Sequence, residues 1–389
     1  MPENFLLYGL LVVALAVGYL LGRRERARRR KNLGLGVEDY IQGLNHLLNE
    51  RHDLAIDTFV ERMAVDGGTV DTHLALGALV RRRGETDKAI RIHQNLLARP
   101  ALSQRHRHQC ELELARDYLA AGLLDRAENL LLELAGKNSE HEQIARELLL
   151  EIYQQEKDWS KAADIGRELA RQDRTVRSRV AHFECELAQQ MIDDQELRAA
   201  RDALKRAARL DSQCARVPLL LAHIDMCEQN HKDVCRQLRK ACELDPGLIV
   251  PCLDLFDQAC RKLGQETQYL SFLREALESS GDQAVIDRLA TELERKDGAD
   301  AAIEFRLREL EVRPSLGSCV SLLEALETHH KTLQHNQLQP VLALTRSLLE
   351  RQAQYRCSQC GFGSSTLMWQ CPSCRQWSVM KSAGPLDLH

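Results

Sequence analysis

The chain has 389 residues, 44% of them hydrophobic and only 4% aromatic, with a formal net charge of −4. Its length allows two or three domains, and its scarcity of aromatics suits an Ala/Leu-rich helical body better than a β-sandwich. The charge is uneven: residues 1–36 carry +5, residues 351–389 carry +3, and the stretch between is left at −12. An acidic middle of that size argues against broad binding of a phosphate backbone there.

From Phe5 to Gly22 the sequence runs FLLYGLLVVALAVGYLLG without a charge. At helical rise these residues span about 27 Å, near the thickness of a bilayer's hydrocarbon core. A buried core helix would show a polar stripe, and a cleavable signal would carry its basic residues before the apolar run. Here MPEN precedes the run and RRERARRRK follows it. The pattern therefore predicts a retained transmembrane anchor over 1–22 and a basic juxtamembrane linker over 23–36. Arginines beside a span stay on the cytoplasmic side, which places the bulk of the chain there. Ala14, Gly18 and Gly22 recur every four residues, a spacing that suits a helix-dimer face and so a homodimer.

Between 37 and 350 proline is sparse and apolar residues recur every three to four positions, the mark of helix after helix. A period near 34 is visible. Gly43, Ala55 and Phe59 stand in phase with Gly77, Ala89 and His93. Tyr118, Gly122 and Ala127 follow, then Tyr153 with Ala162, Ala188 with Ala200 and Ala207, and Ala222 with Ala241 and Pro246. Gly264 with Ala276, and Ala290 with Ala302 and Pro314, continue the series. Small residues at two fixed phases let paired helices approach, and a proline near the end stops the second helix. This resembles the tetratricopeptide repeat and implies an all-α solenoid of about eight or nine helical hairpins. Gly166 stands where a larger residue is expected, and the spacing drifts by a few residues. Such solenoids bind other proteins along an open surface.

The middle holds no phosphate-binding loop, zinc-protease helix or nucleophile elbow, so no catalytic residue is assigned. His329 and His330 are adjacent but read as a polar connection. Carboxylates in DRAENLLLEL and ELERKDGAD read as solvated helix faces. Nine cysteines (110, 185, 214, 227, 235, 242, 252, 260 and 319) show no framework spacing and read as reduced, small core side chains.

At the far end, Cys357-x2-Cys360 and Cys371-x2-Cys374 lie ten residues apart in RCSQCGFGSSTLMWQCPSCRQW. Two chelating loops around one tetrahedral ion is the economical reading, with Cys357, Cys360, Cys371 and Cys374 as metal ligands. Gly361 permits the tight turn, and Pro372 stiffens the second loop. Zinc is the expected metal and iron its rival. Arg356 and Arg375 are expected to compensate the thiolate charge, and Phe362, Trp369 and Trp377 to dock the module onto the last repeats. C-x-x-C-G-F and C-P-x-C resemble the two knuckles of rubredoxins and zinc ribbons, which implies a small metal domain over 355–381.

Anchor, basic flank, repeats and terminal knuckle together resemble the lipopolysaccharide assembly protein B family across nearly the whole chain. That resemblance implies a non-enzymatic adaptor in the bacterial inner membrane. Its implied partners are the membrane protease FtsH, the deacetylase LpxC and membrane proteins of lipopolysaccharide assembly. Two other readings of the knuckle stay open from the residues alone: an anchored electron carrier, and a nucleic-acid-binding ribbon.

Overall fold

A computed structural model describes residues 69–100, 102–137, 140–313, 315–329, 345–346 and 353–383. The expected anchor, the basic flank and the first repeat with Gly43, Ala55 and Phe59 lie outside these residues, as do His330 and Pro314. Among the described residues no helix is long and apolar enough to cross a membrane. The chain divides into two compact units, Met1–Lys157 and Asp158–His389.

The described part of the first unit is a run of helices: α1 (Val70–Arg82), α2 (Thr86–Leu97), α3 (Gln104–Ala120), α4 (Leu124–Ala135) and α5 (Glu142–Glu156). Its spacing explains its residues. Ala89 and Ala127 are fully buried, as the repeat phase requires. Gly77 makes room for the imidazole of His93, because a Cβ there would stand 2.4 Å from the ring. His93 in turn meets the buried carboxylate of Asp117 at 2.5 Å, and Arg81 spans Asp117 and Glu113 at 2.7 Å each. A charged knot thus replaces one apolar contact in this unit.

The second unit continues with α6 (Trp159–Gln172), α7 (Arg177–Asp193), α8 (Leu197–Leu210), α9 (Arg216–Cys227) and α10 (His231–Leu244). A 3-10 turn at Pro246–Leu248 leads into α11 (Ile249–Leu263), α12 (Glu266–Ser280), α13 (Gln283–Asp297), α14 (Ala299–Val312) and α15 (Leu316–His329). In α8 the buried side chains are Ala200, Ala203, Leu204 and Ala207, one stripe at helical spacing with arginines opposite. Ala162, Ala222, Ala241, Ala276, Ala290 and Ala302 are likewise buried. Phe256 stacks on Phe272 at 4.2 Å between α11 and α12 and fills the gap the small residues leave.

Apart from Gly281, which closes α12, left-handed residues mark the turns inside the helical pairs: Gly84, Gly122, Lys157, Gln195, Gln229, Gly264 and Gly298. Successive members lie 34 to 38 residues apart, so the turn conformation keeps the period even where glycine is replaced. The expected period and its drift are both present, and the body is a series of tetratricopeptide-like helical pairs.

Three readings change. Glu292, part of ELERKDGAD, is buried rather than solvated, because Arg261 at 2.6 Å and Arg295 at 2.8 Å neutralise it there. Glu184 is buried in the same way between Arg206 and Arg167. His329 ends helix α15 and pairs with Glu294 at 2.9 Å, so it does not lie in a loop. Of the nine scattered cysteines, six are buried as small core residues, but Cys227 is exposed and Cys242 and Cys319 are half-buried.

After the helices come β1 (Tyr355–Cys357), β2 (Gly363–Ser364) and β3 (Met380–Ser382). They form an antiparallel sheet in the order β2-β1-β3, with Tyr355 opposite both Ser364 and Ser382.

Candidate metal centre and its seat on the repeats

The four terminal cysteines sit on two copies of one loop. In the first, the Cys357 amide donates to the Phe362 carbonyl and the Gly361 amide to the Cys357 carbonyl, at 2.8 and 2.9 Å. In the second, the Cys371 amide donates to the Gln376 carbonyl and the Arg375 amide to the Cys371 carbonyl, at 2.9 and 2.8 Å. Gly361 and Arg375 hold the matching left-handed position, at φ 76° and 58°. Glycine is at ease there, whereas arginine is strained. The spacing alone did not reveal that Arg375 is the counterpart of Gly361.

The two loops face each other across a small volume. All four sulfurs lie within 4.8 Å of one another. Cys357 and Cys374 sulfurs are 3.7 Å apart, and so are those of Cys360 and Cys371. A tetrahedron with metal–sulfur bonds of about 2.3 Å has edges of about 3.8 Å, whereas a disulfide would need about 2.0 Å. The donor set therefore fits one thiolate-bound metal ion.

Electrostatics point the same way. The amide of Phe362 donates to the Cys360 sulfur and, with help from Ser373 and the neighbouring thiols, lowers that group to about 6. At Cys374 the Gln376 amide acts in the same sense, but burial and the three neighbouring sulfurs outweigh it and push the thiol up to about 11. Four thiols this close cannot all ionise on their own, and a cation among them removes the conflict. The donors to the sulfurs are the Phe362 and Gln376 amides and the Ser373 side chain. The flanking side chains of Arg356 and Arg375 are exposed.

Phe362 packs with Leu367, Met368 and Val379 around Tyr355, Cys357, Cys371 and Met380, the module's own small core. The tryptophans do the docking. Trp377 stacks on His182 at 5.0 Å and meets the edges of Phe183 and Trp159 at 5.8 and 6.2 Å. Arg216 lies 5.2 Å above the Trp369 ring. Polar contacts surround this patch: Ser378 hydroxyl to His182 Nε2 at 2.7 Å, Lys381 to Asp245 at 2.7 Å, and Ser382 hydroxyl to Asp282 at 3.1 Å. The seat is thus formed by α6, α7, the start of α9 and the turns before α11 and α13. It is not confined to the last repeats, as the sequence led us to expect. A module at the chain terminus packs wherever its aromatics find complementary surface, and the flat pocket of Trp159, His182 and Phe183 lies far upstream.

His182 is the residue that pattern reading missed. It is 1% exposed, and burial, aided by the Arg216 charge and opposed by Asp211, lowers its pKa to about 4. It is held neutral under Trp377, with Nδ1 buried and without a hydrogen-bond partner among the described residues.

Comparison with known proteins agrees with this architecture. A family model described as a rubredoxin metal binding domain matches residues 355–382. Lipopolysaccharide assembly protein B of Escherichia coli strain K12 is 34% identical over 388 residues, covering 98% of this chain and 99% of the relative. The protein of the same name from Haemophilus influenzae is 30% identical over 399 residues, covering 97% of each. Among solved structures, the C-terminal part of a TPR repeat-containing protein from Cytophaga hutchinsonii is 12% identical with a TM-score of 0.37. It covers 67% of this chain and 96% of its own. A likeness that shallow carries no argument, and the repeat architecture stands on the helices described above. Identity at this level along nearly the full length of both chains means that the chain belongs to the lipopolysaccharide assembly protein B family.

Proposed function

We propose that this protein is a membrane-tethered cytoplasmic adaptor in lipopolysaccharide assembly, acting by promoting FtsH-dependent degradation of the deacetylase LpxC. The observation that carries the reading is full-length identity with proteins named for lipopolysaccharide assembly, in a chain built of tetratricopeptide-like helices. In this reading residues 1–22 anchor the chain in the inner membrane, 23–36 lie against anionic lipid, 37–350 bind partners, and 355–381 form the metal module. The tether raises the effective concentration of partners sharing the membrane.

Cys357, Cys360, Cys371 and Cys374 would hold the ion, zinc in our reading. Four thiolates saturate a tetrahedral ion and leave no position for water or substrate, so the metal supplies folding energy and not chemistry. Its task is to keep Trp369 and Trp377 on their seat, and with them the surface the ribbon shares with the repeats. The protein is then not an enzyme.

The test is LpxC turnover. Cells lacking this protein should accumulate LpxC, and expression of the full chain should restore its decay only where FtsH is active. LpxC half-lives that are the same with and without the chain would sink the proposal.

A further inference from the structure

Within the second unit a cavity of about 880 Å³ lies between the ribbon and the repeats. Tyr355, Lys381 and Ser382 wall it on one side, and the segments opening α11, α13 and α15 wall it on the other. We propose that this cavity is a peptide site that takes an extended segment of a partner protein presenting an apolar side chain beside a basic one. The inference rests on the adaptor reading for the nature of its ligand and names where on this chain that ligand sits.

Size and lining set the first limit. The volume lies within the range of specific ligand sites. Ile249, Val250 and Leu316 give the cavity an apolar floor, and hydroxyls and carboxylates ring it. Tyr355 lines the space, and its hydroxyl makes no hydrogen bond among the described residues. A phenol O–H lining an open space can donate to a ligand, and a peptide carbonyl is a fitting acceptor.

Charge sets the second limit. The two cations that line the cavity among the described residues are already engaged: Lys381 holds Asp245 at 2.7 Å, and Arg313 holds the Leu277 carbonyl at 3.0 Å and Glu309 at 3.6 Å. Asp282 and Asp287 also line the space: among the described residues Asp282 has hydroxyl and backbone partners and no paired cation, whereas Asp287 has hydroxyl and amide partners and feels the Arg306 charge. An anionic ligand would face the Asp282 carboxylate, whereas a Lys or Arg side chain would be welcomed. The third limit is backbone. β3 lies at the edge of the sheet with no further strand beside it among the described residues, and its Lys381 and Ser382 line the cavity. An extended chain is the ligand class that satisfies an open strand edge.

The probe is a random dodecapeptide display library, selected on the full chain in nanodiscs, with winning peptides then labelled and titrated by fluorescence anisotropy. Selected sequences should share an apolar residue next to Lys or Arg. Replacing that basic residue by Glu should abolish binding. Tyr355→Phe, which keeps the ring and loses the hydroxyl, should weaken binding about five- to tenfold. Val250→Arg should eliminate it while circular dichroism and tryptophan emission stay unchanged.

No enriched peptide, peptides that bind Val250→Arg as tightly as the parent, or a selection dominated by acidic sequences would each overturn the proposal. So would binding that appears only after residues 384–389 are removed, because the chain's own tail would then be the occupant. Failure of the cavity and failure of the adaptor reading are separable: normal control of LpxC without any selected peptide sinks the first alone. Peptide binding without any effect on LpxC sinks the second alone.

Discussion

Acidification should unseat the ribbon, and His182 sets the range. In the docked state its pKa is about 4, against the ordinary value of 6.5 once the ring is free in water. A lowered pKa in the docked state means that the undocked state binds the extra proton. Docking is therefore at full strength above pH 6.5 and weakens as the pH falls from 6.5 toward 4. From those two values the loss is about 1.3 kcal/mol between pH 7.5 and 5.5, and about 2.5 kcal/mol by pH 4.5. The chain carries only three tryptophans, and Trp159, Trp369 and Trp377 all belong to this seat. Their emission therefore reports docking with no background. Urea titration followed at the tryptophans should show the ribbon's midpoint falling across this range, reversibly, with metal content assayed in parallel. His182→Phe, which keeps a ring under Trp377 and cannot ionise, should flatten the dependence between pH 7.5 and 5.5. If the variant's midpoint falls as steeply as the parent's while metal is retained, the assignment to His182 is wrong.

Cys371→Ser should take bound metal from one ion per chain to none and unfold residues 355 to about 380. Helix content should barely change, because stability in repeat arrays is summed locally; a variant that keeps its metal would refute the ligand assignment. Gly361→Ala should cost about 1 kcal/mol, since no neighbouring atom crowds the new methyl and only the left-handed backbone resists it. Arg375→Gly, at the matching position, should be neutral or stabilising by up to about 1 kcal/mol, and chemical denaturation of the two variants compares them directly. Arg206→Ala should destabilise the second unit by about 3 kcal/mol, because Glu184 then stays buried with Arg167 alone; a thermal midpoint equal to the parent's would show that the charge is not buried in solution. A chain beginning at Val37 should fold and bind partners but fail to control LpxC at native abundance, and full control by that fragment would remove the role of the tether.

The repeat body was legible because its determinants are local and periodic. Alanine at Ala89, Ala127, Ala200 and Ala241 is dictated by helices that must approach closely, so the period shows in composition alone. The convergence of the four terminal cysteines was legible for the same reason: each C-x-x-C is one short loop, and two such loops ten residues apart close on one point. The glycines of the turns were only half legible. Gly84 and Gly264 announce a left-handed turn, while Lys157, Gln195 and Gln229 adopt it unannounced, held there by the helices on either side.

What tertiary structure alone decided is which distant residues meet. Nothing in the neighbourhood of His182 distinguishes it from a solvated histidine; it becomes special because Trp377, nearly two hundred residues later, covers it. Glu184 and Glu292 look like surface carboxylates until arginines from other helices close over them. The cavity beside Tyr355 belongs to no single segment, since the ribbon supplies one wall and three separate turns the other. Helix period and chelate spacing are short-range steric constraints, written residue by residue. The seat, the buried charges and the cavity depend on shape and charge complementarity between surfaces that the chain brings together only when it folds.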